Sequence, residues 1–116
     1  YVAAALVNEI KVLAHPASID SIPTSAGMED FNSMGATSAH KMLRILAMAR
    51  QVVAIELLSA AQMLDFRLPL IPGDGVRRAF ELVRSRVPKL ENDRVMSPDI
   101  EALEQLIQEG AFDQFA

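Results

Sequence analysis

Glu29 and Asp30 are the residues whose type and placing first suggest chemistry. They lie near the end of an irregular stretch, Ala14 to Gly35, that contains Pro16, Pro23, Gly27 and several hydroxyl side chains. A carboxylate at such a point can orient a cationic group of a ligand or act as a base. It can equally be an ordinary first-turn acid, favoured by the dipole of a helix that starts just before it. Residue chemistry alone favours the second reading.

The other candidates are weaker. His15 and His40 are far apart in sequence, and neither has a second His or a Cys at ligand spacing, so no metal site is expected. His15 is expected to bond the loop backbone, and His40 to sit on a polar or interface face of a helix. Ser18, Asp20, Ser21, Thr24 and Ser25 form a hydroxyl-rich run, but no G-x-S-x-G elbow and no evident base accompany them. Short side chains of this kind usually bond nearby backbone groups. Pro72-Gly73-Asp74-Gly75 reads as a turn, since it lacks the following Lys-Ser/Thr of a phosphate loop. Arg77, Arg78, Arg84 and Arg86 could meet an anion, but with Glu81 among them a solvated helix face is the simpler reading.

The elements that position these residues are helical. Links between helices usually take about two to eight residues. An extended irregular loop over about residues 14–28 is longer than connection requires, and such loops tend to carry function. Residues 2 to about 13, rich in Ala and Leu, read as a helix that stops before Pro16. A second helix is expected from near Ser25–Met28 to about Asp65, capped by Thr24 or Ser25 and interrupted or kinked near Gly35. Its apolar residues lie on most sides (Leu43, Ile45, Leu46, Val52, Val53, Ile55, Leu57, Leu58), so it calls for partners on most sides. A third helix over about 76–87 has Val76, Phe80 and Val83 as its inner stripe. Ser97-Pro98-Asp99 is a helix start, with Ser97 as cap, and Gly110 is the stop.

Composition sets the outer bounds. The 116 residues suit one domain, and 51% hydrophobic with 5% aromatic describes packed helices rather than a β-sandwich. That apolar share is high for so short a chain, which points to an interface or to a larger whole. A net charge of −4 with no long run of one sign argues against a nucleic-acid binder. The absence of cysteine fits the cytoplasm. Arg50 and Glu56 interrupt the most apolar run, Ile45 to Leu64, so a membrane span is not expected. The start at Tyr1 lacks a Met and carries no signal-peptide pattern, so a cut end is expected there.

One set of residues says more. Asn8-Glu9-Ile10-Lys11-Val12-Leu13-Ala14-His15-Pro16-Ala17-Ser18-Ile19-Asp20-Ser21-Ile22-Pro23-Thr24-Ser25-Ala26 is followed by Glu29-Asp30 and Ser33-Met34-Gly35. Then come Ile55 to Gln62, Asp65-Phe66-Arg67, Asp93-Arg94 and Ser97-Pro98-Asp99-Ile100. In order, and over nearly the whole chain, these resemble the C-terminal part of the aromatic amino acid ammonia-lyases, most closely the histidine ammonia-lyases. The resemblance implies an all-α fold of long helices in a multi-subunit bundle, with residues 1–116 as a C-terminal helical segment. It implies a cytoplasmic homotetramer that eliminates ammonia from an aromatic amino acid, with L-histidine giving urocanate. It places Glu29 at the family's active-site acid, Met28 at a neighbouring position usually held by an amide, and Tyr1 close to the substrate side chain.

It also implies a methylidene-imidazolone (MIO) electrophile, formed from an Ala-Ser-Gly that lies outside this chain. The partners implied are therefore the aromatic substrate, the missing N-terminal portion and further copies, with no nucleic acid and no membrane. Met28 in place of the amide, and Phe31-Asn32 in place of the His-Val usual in histidine lyases, leave open a tyrosine or phenylalanine lyase or an aminomutase. A non-catalytic helical module that only associates is the alternative.

Overall fold

A computed structural model describes residues 1–19 and 21–115. Among the described residues the chain is all-α, with four helices and two short 3-10 turns. Helix α1 is Val2–Leu13, α2 is Gly35–Asp65, α3 is Asp74–Arg86 and α4 is Ser97–Gln108. The chain forms two units, Tyr1–Ala49 and Arg50–Ala116, with the boundary falling by residue number inside α2.

The first unit holds α1, the loop and the start of α2. α1 ends as expected ahead of Pro16, with the Ala14 N–H donating to the Ile10 carbonyl at 2.8 Å. α2 departs from the expectation of a start near Ser25–Met28, because it begins only at Gly35. The cause is local. Ser25 and Ala26 both take the left-handed conformation at φ 54°, and Gly27 follows at φ 84°, so the helix cannot propagate through them. Met34, at φ 49°, is a further left-handed residue directly before the helix. Gly35 is therefore the first residue of α2 rather than a kink within it. The irregular segment runs from Ala14 to Met34, close to the Ala14 to Gly35 stretch read from the residues and longer than the expected loop over 14–28, and Thr24 and Ser25 cap no long helix.

No residue of this unit is buried in the single chain among those described. Val2, Val7 and Val12 of α1 and Met42, Leu43 and Leu46 of α2 are all exposed. Lys41 Nζ donates to the His15 carbonyl, tying the loop entry to α2. Arg44 pairs with Glu9 of α1 at 3.4 Å.

The second unit contains the core. Ala54 and Ala61 of α2 meet Val83 and Val87 at the end of α3, and Leu103 and Leu106 of α4, with Leu57, Leu58, Phe80 and Ile100 packed around them. Small residues on α2 let the neighbouring helices approach closely, and α3 and α4 pack on each other. The inner stripe of α3 holds at Phe80 and Val83. Val76 stands 54% exposed, because α3 starts two residues earlier than expected and places it in the open first turn. Asp74 occupies that turn, where the dipole favours an acid, and pairs with Arg77 at 3.0 Å.

Ser97 begins α4 but makes no side-chain cap, so Pro98 and Asp99 carry the start signal. Gly110 ends the helix as expected. It sits at φ 71°, and the Ala111 N–H returns to the Leu106 carbonyl at 3.1 Å.

The arginines of α3 are not one solvated face. Arg84 is largely buried and grips Asp65 through Nε at 3.1 Å and Nη2 at 2.7 Å. Arg78 lies over the Phe115 ring, and Arg86 pairs with Glu109. An opposing carboxylate or ring engages each of these cations, which leaves little for an external anion. Among the described residues no helix is long and apolar enough to cross a membrane.

Candidate functional site

The loop of the first unit folds back on itself. The Thr24 N–H donates to the Glu29 carbonyl at 2.6 Å, and the Glu29 N–H donates to the Thr24 carbonyl at 3.2 Å. Between these partners the chain reverses through Ser25, Ala26 and Gly27, closed by the Gly27 N–H to the Thr24 carbonyl at 3.1 Å. Two non-glycine residues in the left-handed region cost of order 1–2 kcal/mol each. Such strain tends to mark sites where the backbone is shaped for a purpose. Here it sets the direction in which residues 28 and 29 leave the turn.

Side chains fasten the reversal further. Thr24 Oγ1 donates to the Glu29 carbonyl at 3.2 Å. Ser21 Oγ bridges two backbone groups on the opposite arm, donating to the Asp30 carbonyl and accepting from the Asn32 N–H at 3.1 Å. Backbone and hydroxyls thus hold residues 29 to 32 against residues 21 to 24, while the Glu29 side chain is exposed. Glu29 lines an open, polar groove together with Met28, Asp30, Phe31, Asn32 and Ser33. Phe31, Asn32 and Ser33 also wall a more apolar hollow shared with Ser18, Ile19 and Ser21.

The expected site residues separate accordingly. Met28 and Glu29 come together in one groove. Tyr1 stands fully exposed at the head of α1 and is not among the groove's walls. Glu29 is not a first-turn acid, since α2 starts six residues later and its dipole does not act there. That removes the bland explanation for the carboxylate. His15 engages the structure through its carbonyl, and His40 is exposed on α2. The reading of the loop hydroxyls as backbone partners holds for Ser21 and Thr24; Asp20 lies outside the described residues. Among the described residues no cluster of three or more His, Cys, Asp or Glu could hold a metal ion.

An exposed carboxylate on an anchored turn can accept a hydrogen bond from a ligand N–H or take up a proton. Met28 and Phe31, 85% and 95% exposed, set apolar surface beside it. Acid and apolar surface together suit a ligand that carries both a polar N–H and an apolar part. The sequence singled out Met28 and Glu29, and it marked Ser21 and Thr24 as backbone-bonding hydroxyls without tying them to residues 29 to 32. The signal for that tie was the placing of Ser21 and Thr24 one loop-width ahead of the acid.

A family model described as aromatic amino acid lyase matches residues 1–85. The chain is 58% identical over 107 residues to a histidine ammonia-lyase of Myxococcus xanthus (strain DK1622), covering 92% of this chain and 21% of that protein. A crystal structure of histidine ammonia-lyase from Trypanosoma cruzi superposes with a TM-score of 0.93 at 44% identity, covering 98% of this chain and 23% of the other. Tyrosine aminomutase from Streptomyces globisporus superposes with a TM-score of 0.89 at 36% identity, covering 99% and 22%. The chain thus spans about a fifth of the length of the curated relatives it matches.

Proposed function

The chain belongs to the aromatic amino acid lyase family, and from that premise we propose that it is the C-terminal helical segment of an ammonia-lyase that converts L-histidine to urocanate. The observation that carries this reading is the 58% identity to a histidine ammonia-lyase across 92% of the chain. Glu29 is the residue we assign to the reaction. Its carboxylate can pair with the imidazole N–H of histidine and can carry a proton, whereas an amide of the same shape cannot ionise. Met28 and Phe31 would flank the substrate ring. Tyr1 is assigned beside the substrate side chain on the resemblance alone.

The elimination removes ammonia and a neighbouring carbon-bound proton to leave an α,β-unsaturated acid. This chain does not make the family's electrophile. It contains no Ala-Ser-Gly, and Ser25-Ala26-Gly27 has another order and is wound into the left-handed turn. Activation of the amino group belongs to a methylidene-imidazolone supplied from outside residues 1–116. The role of these residues is to bind and orient the ring and to place a carboxylate beside it.

Apolar residues exposed along α2, among them Met42, Leu43, Leu46 and Met63, support burial by further copies in a homotetramer. The likeness to a tyrosine aminomutase, together with Met28 and Phe31-Asn32, supports a second reading in which tyrosine is the substrate. One experiment separates the two. In the complete protein, Glu29→Gln is expected to lower histidine turnover by about 100-fold or more, with urocanate followed by its absorbance. Unchanged turnover removes Glu29 from the site. The isolated 116-residue chain is expected to form no urocanate.

A further inference from the structure

The Glu29 carboxylate is exposed, and its own side chain does not fix its position. What is held is the backbone from which the side chain projects, and two hydroxyls hold it. Thr24 Oγ1 donates to the carbonyl of Glu29 itself. Ser21 Oγ donates to the carbonyl of Asp30, the next residue, and accepts from the N–H of Asn32. A hydroxyl has one proton to donate and lone pairs to accept, so Ser21 alone can serve both groups. The two residues flank Pro23 on one arm of the reversal, and their targets lie on the arm that carries the acid.

We infer that Ser21 and Thr24 are positioning residues for the Glu29 carboxylate, forming a two-hydroxyl clasp that closes the loop on either side of it. The inference rests on the reading of Glu29 as the substrate-facing acid. A loop held this way gains because its backbone need not be ordered at the moment of binding, and small misplacements of a catalytic group are costly. Loss of one such hydrogen bond, with the loop loosened, is expected to cost about five- to tenfold in kcat/KM.

The test uses the complete protein with histidine as substrate. Ser21→Ala and Thr24→Val are each expected to lower kcat/KM by about five- to tenfold. The hydroxyl-retaining Ser21→Thr and Thr24→Ser are expected to stay within about twofold of the parent. The decisive comparison repeats Thr24→Val and Ser21→Ala in the Glu29→Gln background. If the hydroxyls act through the acid, they cost little further activity once the acid is gone. Equal losses in both backgrounds would mean a general structural role and would overturn the inference, as would full activity of both hydroxyl-free variants. If one of these variants fails to fold, the other carries the same comparison. Harmless Glu29→Gln would instead sink the functional reading, and this inference with it.

Discussion

Replacing Asp65 by Ala removes the acceptor at the centre of the second unit's polar network. Asp65 Oδ2 takes two hydrogen bonds from Arg84, and the two side chains are only 8% and 14% exposed. Breaking a buried pair by deleting one partner costs about 3–5 kcal/mol, because the other charge is left uncompensated. The lower end applies here. Arg84 keeps the Val87 carbonyl at 3.2 Å, the Gln62 amide oxygen at 3.5 Å and the face of Phe80 at 5.6 Å.

A loss of about 3 kcal/mol corresponds to roughly a 150-fold larger opening constant for the unit. Hydrogen exchange of the amides near Val83 and Val87, which sit in the core, reads that constant directly. The expected result is exchange faster by about two orders of magnitude at those amides. A companion variant, Asp65→Leu with Arg84→Met, is expected to recover most of the protection, since apolar residues can replace a buried pair without leaving a bare charge. A change below about threefold in Asp65→Ala would refute the claim that this pair holds α3 against α2.

Other predictions concern the core and the turns. Leu103→Ala deletes a side chain with no exposed surface; a loss of about 3 kcal/mol is expected, read as a fall in the urea midpoint. Gly110→Ala sets a Cβ 2.8 Å from Asp113 Oδ2 at φ 71°. The carboxylate can swing away, so the conformational part, about 1 kcal/mol, is expected to persist in an Asp113→Ala background. A thermal melt of the two variants separates the contributions.

The helices were legible in the sequence wherever a local signal marked their ends. Pro16 ended α1, Ser97-Pro98-Asp99 opened α4, and Gly110 closed it. The start of α2 was misread because Thr24, Ser25 and Glu29 mimic a capped helix entry, whereas the backbone takes a left-handed turn that propensity does not encode for Ser25 and Ala26. Arg84 was read as surface for a similar reason. Its partner Asp65 is distant in sequence, and no periodicity along α3 reveals it. Of the candidate site, the sequence marked Glu29 through its place beside the loop and Met28 through its place before Glu29. That Ser21 and Thr24 bond backbone was legible too; which backbone groups they reach was not, because those partners come near only after the loop has closed. The excess of apolar surface was visible in both. Composition showed more hydrophobic residues than a small domain buries, and the helices leave Leu43, Leu46 and Val53 exposed.

The most direct measurement is product formation by the complete protein offered histidine, tyrosine and phenylalanine side by side, before and after Glu29→Gln. Urocanate from histidine, with turnover well above that of the other two and a steep loss in the variant, is the expected result. Cinnamate, coumarate or a β-amino acid as the main product, with Glu29→Gln leaving the rate unchanged, would contradict it.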